Sequence, residues 1–153
     1  KTAAMRIRLT DVSDCRVSAD ERRIDEESVS ALPQDADYVV DAIDDVRGKL
    51  ALITWARAHG VPLVSCLGAG NRRDAMRFRV RDIFDTAGDP LARKLRALLR
   101  KAGVDRLDTV FSDEPPRTQP QQTAVGSLAP VTAAAGLAAA SFVIARLTGD
   151  DPS

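Results

Sequence analysis

The stretch that decides the fold is residues 38–70, YVVDAIDDVRGKLALITWARAHGVPLVSCLGAG, in which two apolar runs flank an amphipathic segment. The first run, 38–43, is almost continuously apolar, as is typical of a strand buried on both faces of a sheet. Residues 47–59 carry apolar side chains near one face and predict a helix, and 61–67 form a second apolar run. A strand, a helix and a strand at this spacing predict a βαβ unit with parallel strands, so the fold class is α/β.

The regions on either side of this unit add elements to the same domain. The predicted elements are a helix at residues 1–9, a short strand at 15–18, a strand with one basic face at 76–83, a helix at 91–102 that begins after Asp89-Pro90, a strand at 110–112 and an Ala-rich terminal helix at 127–147. A Pro/Gln-rich segment within residues 113–126 predicts a flexible loop. We expect the chain, residues 1–153, to form a single, partial domain with an N-terminal piece missing.

Composition excludes several classes of function. The 153 residues are 44% hydrophobic, enough for a core, and 22 basic residues balance 22 acidic ones, so no net charge attracts nucleic acid or anionic membrane. Two cysteines and one histidine exclude a zinc cluster or a disulfide framework within these residues. The small number of cysteines favours a cytoplasmic location.

Residues 118–145 carry no charge and are long enough to be considered as a membrane span, but small residues dominate them, so we expect no stable membrane insertion.

Three acids follow the first strand of the predicted unit: Asp41, Asp44 and Asp45. Ligands of open parallel sheets bind outside the carboxyl ends of the strands, so acids here face the binding crevice. A single aspartate at such a place can hold Mg²⁺ on a nucleotide phosphate. The alternative is that Asp44 or Asp45 only caps the helix that follows. Spacing alone leaves both interpretations open.

The second strand of the unit ends in Gly68-Ala-Gly70. Glycines here allow close approach of a ligand to the backbone, and a tight turn explains them equally well. Cys66 could be a nucleophile, although a buried structural thiol is the favoured interpretation. The chain contains neither a G-x-G-x-x-G nor a Walker-A motif, so a self-contained nucleotide site is not expected within it.

Basic residues are dense after these glycines. They could form a phosphate-binding surface, or a solvated face whose charges are neutralised by nearby acids, and the second interpretation is slightly favoured. The cluster consists of Arg72, Arg73, Arg77, Arg79 and Arg81.

Several segments carry a resemblance to a known family. Residues 38–49 (YVVDAIDDVRGK) and 61–70 (VPLVSCLGAG) resemble the second half of the E1-like activating enzymes of the ThiF/MoeB/HesA group. Within that group, residues 80–83 (VRDI), 89–96 (DPLARKLR) and 110–114 (VFSDE) are similar to the tRNA threonylcarbamoyladenosine dehydratases. The resemblance implies the C-terminal portion of a Rossmann-like E1/ThiF fold. The first half of that fold, with its Gly-x-Gly-Gly-Val-Gly loop, has no counterpart in these residues.

The activity that the resemblance implies is ATP-dependent. ATP activates the threonyl carboxylate of threonylcarbamoyladenosine in tRNA, and the ureido group then closes a ring with net loss of water. By position, Asp44 matches the catalytic, Mg²⁺-binding acid of the family's D-x-x-D motif. Asp41 matches the first acid of that motif, which belongs to the cofactor-binding site as a structural residue behind Asp44. Lys1 matches a lysine that contacts ATP phosphates, and Gly68 and Gly70 match the loop over the nucleotide.

The resemblance also implies cofactors and partners. They are ATP and Mg²⁺, a tRNA substrate, a homodimer and, as a further possibility, a sulfur-transfer or acceptor protein. Two alternative functions stay open: a non-catalytic dimerisation or interaction module, and an adenylyltransferase acting on a sulfur-carrier protein. Because the first nucleotide-binding half is not represented, we expect these residues alone to be inactive.

Overall fold

The computed structural model describes residues 1–117 and 124–150. In chain order the elements are α1 (Thr2–Val12), β1 (Val39–Asp41), α2 (Val46–Ala58), β2 (Leu63–Cys66), β3 (Phe78–Asp82), α3 (Pro90–Lys101), β4 (Asp108–Ser112) and α4 (Ala129–Thr148). The bounds of seven of the eight elements agree with the sequence predictions to within about two residues, α1 being the exception, and the predicted α/β class is confirmed. Part of the predicted loop at 113–126 lies outside the described residues.

The strands form one sheet in the order β1-β2-β4-β3. β1 pairs with β2 and β2 with β4 in parallel, whereas β3 runs antiparallel to β4 at the far edge. The βαβ unit predicted from residues 38–70 is therefore present, and β3 is the added strand. Parallel pairing brings the carboxyl ends of β1, β2 and β4 to one edge of the sheet.

Helices cover both faces of the sheet. α2 and α3 share a cluster that includes Ile53, Leu95, Leu99 and Phe111. On the other face, α4 packs Ala135, Ala139 and Phe142 against Val64 of β2 and Val110 of β4. Small residues one helical turn apart let the helix approach the strands closely, because they add little bulk between the two backbones.

α4 is the only described helix with the length and composition of a membrane span, with a mean hydropathy of 1.6 over its apolar window. About a fifth of that window, 22%, is buried within the chain. The buried positions are those that face the sheet, and Leu137, Ile144 and Leu147 are exposed on the outer side. The expectation that this segment does not insert in a membrane stays a prediction.

Two sequence predictions are wrong in detail. Residues 15–18 form no strand, and Cys15 is exposed. β1 is not buried on both faces: Val40 is 48% exposed, because β1 is an edge strand among the described residues and one of its faces meets little packing. α1 has the predicted helical conformation, but none of its residues is buried.

Candidate functional site

Three segments leave the sheet at the edge where β1, β2 and β4 end. They follow β1 at residues 42–45, β2 at 67–74 and β4 at 113–117. Four of the five predicted site residues, Asp41, Asp44, Gly68 and Gly70, lie at this edge. The fifth, Lys1, precedes α1; its side chain is exposed and forms no hydrogen bond or ion pair with a described residue. Such an edge is where open parallel sheets bind ligands.

The two acids that the sequence could not separate, Asp44 and Asp45, have different surroundings. Asp45 is the N-cap of α2 and accepts a hydrogen bond from Gly48 N at 3.0 Å. This backbone hydrogen bond lowers the pKa of Asp45. Asp44 is exposed, and its carboxylate contacts no donor in the part of the chain that the structure describes. Since Asp45 serves the helix, the carboxylate of Asp44 is left available to a ligand.

Asp41 is buried in an ion pair beneath these acids. Its Oδ2 accepts from Lys49 Nζ at 3.0 Å and from Ser65 Oγ at 2.6 Å, and its Oδ1 accepts from Ile43 N at 3.0 Å. The Asp41 and Lys49 side chains are 0% and 1% exposed. Both carboxylate oxygens therefore accept hydrogen bonds within the protein, so Asp41 supports the loop after β1 and does not face solvent.

Lys49 is a residue that sequence reasoning missed. It lies on the buried face of α2, between Gly48 and Leu50, and its ammonium group also donates to Cys66 O at 2.7 Å. The ion pair thus links the end of β1 to the end of β2 through the intervening helix. The sequence did offer a signal for this ion pair: Lys49 falls on the apolar face of the predicted helix, and a buried ammonium group needs an acidic or polar partner.

The two glycines after β2 are packed closely by other residues. Gly68 N donates to Asp89 Oδ2 at 3.1 Å, and a Cβ at position 68 would lie 3.2 Å from the same oxygen. A Cβ at position 70 would lie 2.2 Å from Cγ1 of Val125, closer than any real contact. Asp89 also caps α3, as its place before Pro90 predicted. The nucleotide contact predicted for Gly68 and Gly70 stays a prediction.

Arg72 is buried, which the sequence interpretation of the arginine cluster missed. Its guanidinium donates to the carbonyl oxygens of Gly68 at 3.0 Å, Ser112 at 2.6 Å and Glu114, and it lies 3.5 Å from Asp89 Oδ2. Burial lowers the pKa of Arg72, and the nearby carboxylates of Asp89 and Glu114 counter this effect. The side chain therefore joins the loop after β2 to the end of β4 and to the start of α3.

The exposed arginines of the cluster show that its two interpretations are both partly right. Arg77 Nε donates to Asp113 Oδ1 at 2.6 Å, and Arg79 lies 3.9 Å from Asp113 Oδ2. In contrast, the guanidinium of Arg73 forms no hydrogen bond or ion pair with a described residue. One part of the cluster is thus salt-bridged, and another part presents free cationic groups.

The remaining candidates for chemistry are occupied by packing. Cys66 is half-buried, and burial raises the pKa of its thiol, which disfavours the nucleophilic thiolate. His59 Nδ1 lies 2.8 Å from Trp55 O at the end of α2, so the ring is held at the helix terminus. Both residues agree with the structural interpretation that the sequence favoured.

The donor set fits a magnesium ion held with a nucleotide. No group of three His, Cys, Asp or Glu side chains that could form a metal cage occurs among residues 1–117 and 124–150. Mg²⁺ does not require such a cage, because it is usually bound by one or two carboxylates together with substrate phosphates and water. A single free carboxylate at the end of β1, that of Asp44, meets this requirement.

Known proteins share both the sequence pattern and the fold. The model of the ThiF family matches residues 1–153. The tRNA threonylcarbamoyladenosine dehydratase of Bacillus subtilis (strain 168) is 35% identical over 119 residues, which cover 76% of this chain and 47% of that protein. The dehydratase of Escherichia coli (strain K12) is 44% identical over 85 residues, which cover 50% and 32%.

A solved structure agrees along most of the chain. The E. coli tRNA N6-threonylcarbamoyladenosine dehydratase in complex with AMP superposes with a TM-score of 0.89 at 33% identity, covering 97% of this chain and 64% of that one. Its complex with ATP gives a TM-score of 0.83 at 34% identity. The chain spans 47% of the B. subtilis relative, about half its length. By sequence match over its whole length and by fold, the chain belongs to the ThiF family.

Proposed function

We propose that the chain is the C-terminal part of an ATP-dependent tRNA threonylcarbamoyladenosine dehydratase. The relatives described above carry that name, and structural neighbours have been solved with AMP and with ATP. The observation that carries the proposal is the free carboxylate of Asp44 at the carboxyl edge of the sheet, next to a capping Asp45. An acid that no protein group occupies is available to the metal–phosphate of a nucleotide.

The proposed reaction is a cyclisation with ATP as co-substrate. A carboxylate oxygen of the substrate's threonyl group bonds to a phosphorus of ATP, and the bond from that phosphorus to its bridging oxygen breaks, which releases pyrophosphate if the α-phosphorus is attacked or ADP if the γ-phosphorus is attacked. An atom of the ureido group then attacks the activated carbonyl carbon, the phosphorylated oxygen leaves, and the proton released by the ureido group passes to water. The tRNA loses the elements of one water molecule, and ATP is consumed. Activation is required because a carboxylate oxygen is otherwise a poor leaving group.

In this proposal the chain's own residues bind and orient the reactants. Asp44 would hold Mg²⁺ on the nucleotide, and the bound metal supplies positive charge that stabilises the phosphoryl oxygens during transfer. The buried pair of Asp41 and Lys49 keeps the loop that bears Asp44 in place. Lys1 would contact the ATP phosphates, and Gly68 and Gly70 would lie along the nucleotide, as the family resemblance implies.

The test is conversion of threonylcarbamoyladenosine in tRNA by the full-length gene product, with and without ATP. The product is detected by mass spectrometry as a nucleoside that has lost water. We expect Asp44→Ala to lower the rate about 100-fold or more, since it removes the group that directly binds the metal. Asp105→Ala is the matched control, because Asp105 is an exposed acid in the segment before β4, at the opposite edge.

Two results would contradict the proposal. Unchanged turnover of Asp44→Ala would remove the metal-binding assignment, and absence of ATP-dependent dehydration by the wild-type protein would remove the function. ATP–pyrophosphate exchange that requires a sulfur-carrier protein instead of tRNA would favour the adenylyltransferase, and no ATP turnover at all would favour the interaction module. The homodimer and the cytoplasmic location are proposed from the family resemblance and from cysteine usage.

A further inference from the structure

The edge that bears Asp44 also contains a cavity of about 590 Å³ between the loop after β2 and the loop after β4. Three of the side chains that line it are arginines: Arg73, Arg77 and Arg117. The rest of the lining consists of two acids, Asp74 and Glu114, and of Ala75, Pro115 and Pro116. A cavity with this charge pattern selects for an anionic ligand.

The two acids of the cavity accept hydrogen bonds from backbone N–H groups. The carboxylate of Glu114 accepts from Arg73 N at 3.0 Å and from Asp74 N at 2.9 Å, and Glu114 is 7% exposed. Asp74 Oδ1 accepts from Met76 N at 2.9 Å. These hydrogen bonds hold the carboxylates against the loop after β2, and the three arginines of the lining outnumber its two acids, so positive charge remains in excess.

The arginines of the cavity differ in how far they are engaged. Arg73 has no ionic partner among the residues described, and Arg117 lies 3.8 Å from Glu114, beyond hydrogen-bond distance, with 67% of its side chain exposed. Arg77 is paired with Asp113 at 2.6 Å but keeps 42% of its side chain exposed. Guanidinium groups in this state can form paired hydrogen bonds with phosphate oxygens.

The walls of the cavity are held in place before any ligand arrives. The buried guanidinium of Arg72 joins the carbonyl oxygens of Ser112 and Glu114 to that of Gly68. Asn71 O accepts a hydrogen bond from Arg117 N at 2.8 Å, which fixes the loop after β4 against the loop after β2. A fixed site costs less conformational entropy on binding than loops that must be ordered.

The cavity and Asp44 lie at the same edge of the sheet, where β1, β2 and β4 end. Two strand spacings separate the ends of β1 and β4, which is roughly 10 Å, and β2 lies between them. A nucleotide substrate whose reacting carboxylate approaches Asp44 therefore has its neighbouring backbone within reach of the arginines. We propose that Arg73, Arg77 and Arg117 bind phosphodiester groups of the tRNA beside the modified nucleoside. The substrate class rests on the proposed function.

The experiment compares two triple variants of the full-length gene product. Arg73→Gln, Arg77→Gln and Arg117→Gln are combined in one protein. The control combines Arg57→Gln, Lys101→Gln and Arg106→Gln, which removes the same charge from exposed positions near the amino ends of the strands. Affinities for tRNA carrying threonylcarbamoyladenosine are measured across salt concentrations, and the affinity for ATP is measured separately.

We expect the cavity variant to bind this tRNA at least about tenfold more weakly than the control variant. The slope of the logarithm of the affinity against that of the salt concentration should become shallower by about 2 to 3, because three phosphate contacts are lost. ATP affinity should not change. Equal tRNA affinity and salt slope in the two variants, or no tRNA binding by the wild type, would overturn the inference.

Two further results separate this inference from the proposed function. If the cavity variant loses affinity for ATP and not for tRNA, the arginines bind nucleotide phosphates and the RNA assignment is wrong. If the wild-type protein binds tRNA through these arginines but performs no dehydration, the inference holds and the proposed function fails. Binding and turnover are thus read independently.

Discussion

The loop after β1 (residues 42–45) and the loop after β2 (residues 67–74) leave the same edge of the sheet, but the first exposes a negative charge and the second a positive one. Each is held by one buried ion pair, Asp41 with Lys49 in the first and Asp89 with Arg72 in the second. The first loop leaves the carboxylate of Asp44 free, and the second leaves the guanidinium of Arg73 free. In both loops a buried ion pair fixes the backbone, while an exposed charge, negative in the first loop and positive in the second, remains for a ligand.

The two ion pairs differ in what they connect. Lys49 joins two strand ends within one βαβ unit, and its 8-residue separation from Asp41 is short. Arg72 joins segments that are 40 residues or more apart, such as Ser112. The first pair is thus part of a locally formed unit, whereas the hydrogen bonds of Arg72 to Ser112 and Glu114 require β4 to lie beside β2. The following predictions test how far each loop depends on its buried pair.

The largest effect is expected for Lys49→Met in the loop after β1. Without the ammonium group, the buried carboxylate of Asp41 keeps hydrogen bonds from Ser65 Oγ and Ile43 N but has no cation beside it. Removing one partner of a buried ion pair costs about 3–5 kcal/mol of the free energy of unfolding. Urea denaturation followed by circular dichroism measures this change.

The double variant Asp41→Asn with Lys49→Met is the control for this prediction. It removes the isolated charge and should regain much of the lost free energy of unfolding. If Lys49→Met alone lowers the free energy of unfolding by less than about 1 kcal/mol, the pair does not support the loop as described.

Arg72→Met should have the next largest effect, through the loop after β2. It leaves the carbonyl oxygens of Gly68 and Ser112 without this donor and leaves Asp89 without its cation. We expect a loss of about 2–4 kcal/mol in the free energy of unfolding. The adjacent Arg73→Met is a matched control, because Arg73 is exposed, and should change it by no more than about 0.5 kcal/mol. Equal effects of the two substitutions would contradict the burial of Arg72.

A smaller effect is expected from acid, again in the loop after β2. Hydrogen bonds from the backbone N–H groups of Asp74 and Arg73 lower the pKa of Glu114. A carboxyl group with a lower pKa in the folded chain stabilises it above the unfolded pKa of about 4.3, and this stabilisation is lost as the pH falls through the folded pKa. The difference in urea midpoint between wild type and Glu114→Gln should therefore shrink from about pH 7 to about pH 3.

Glu26→Gln is the control for the acid effect, since Glu26 is exposed and forms no hydrogen bond or ion pair with a described residue. Its urea midpoint should follow that of the wild type at every pH. A difference between wild type and Glu114→Gln that does not change with pH would mean that the ionised carboxylate is not what holds the loop.

The contrast between the loops also explains what the sequence could predict. Residues 38–70 predicted the βαβ unit because its pattern is local and each element follows the last within the chain. The exposure of Val40 could not be predicted, because it depends on which strand lies beside β1 in the sheet. An apolar run has the same sequence pattern at the edge of a sheet and at its centre.

The sequence predicted where the candidate site lies in the sheet but not which of its side chains are buried. The topology placed Asp41, Asp44 and the glycines at this edge, as the structure shows, and their part in binding a ligand stays a prediction. The prediction that the acids there face the crevice is wrong for Asp41, because the ion pair with Lys49 buries it. Arg72 and Arg73 are adjacent and identical, and only the distant carbonyl groups of β4 decide which of them is buried. Likewise, the choice between Asp44 and Asp45 as the cap of α2 depends on backbone angles at the turn, which residue type does not determine.

The smallest effect on stability is expected for Asp44→Asn, and it tests the comparison most directly. The carboxylate contacts no described donor, so the free energy of unfolding should change by no more than about 0.5 kcal/mol. Asp45→Ala should lower the free energy of unfolding measurably, because α2 loses the capping carboxylate that accepts a hydrogen bond from Gly48 N. If Asp44 serves a ligand and Asp45 serves the helix, ATP-dependent turnover falls steeply in the first variant and only with the folded fraction in the second. Destabilisation by Asp44→Asn equal to that by Asp45→Ala would mean that both acids hold the loop, and neither would be free for a ligand.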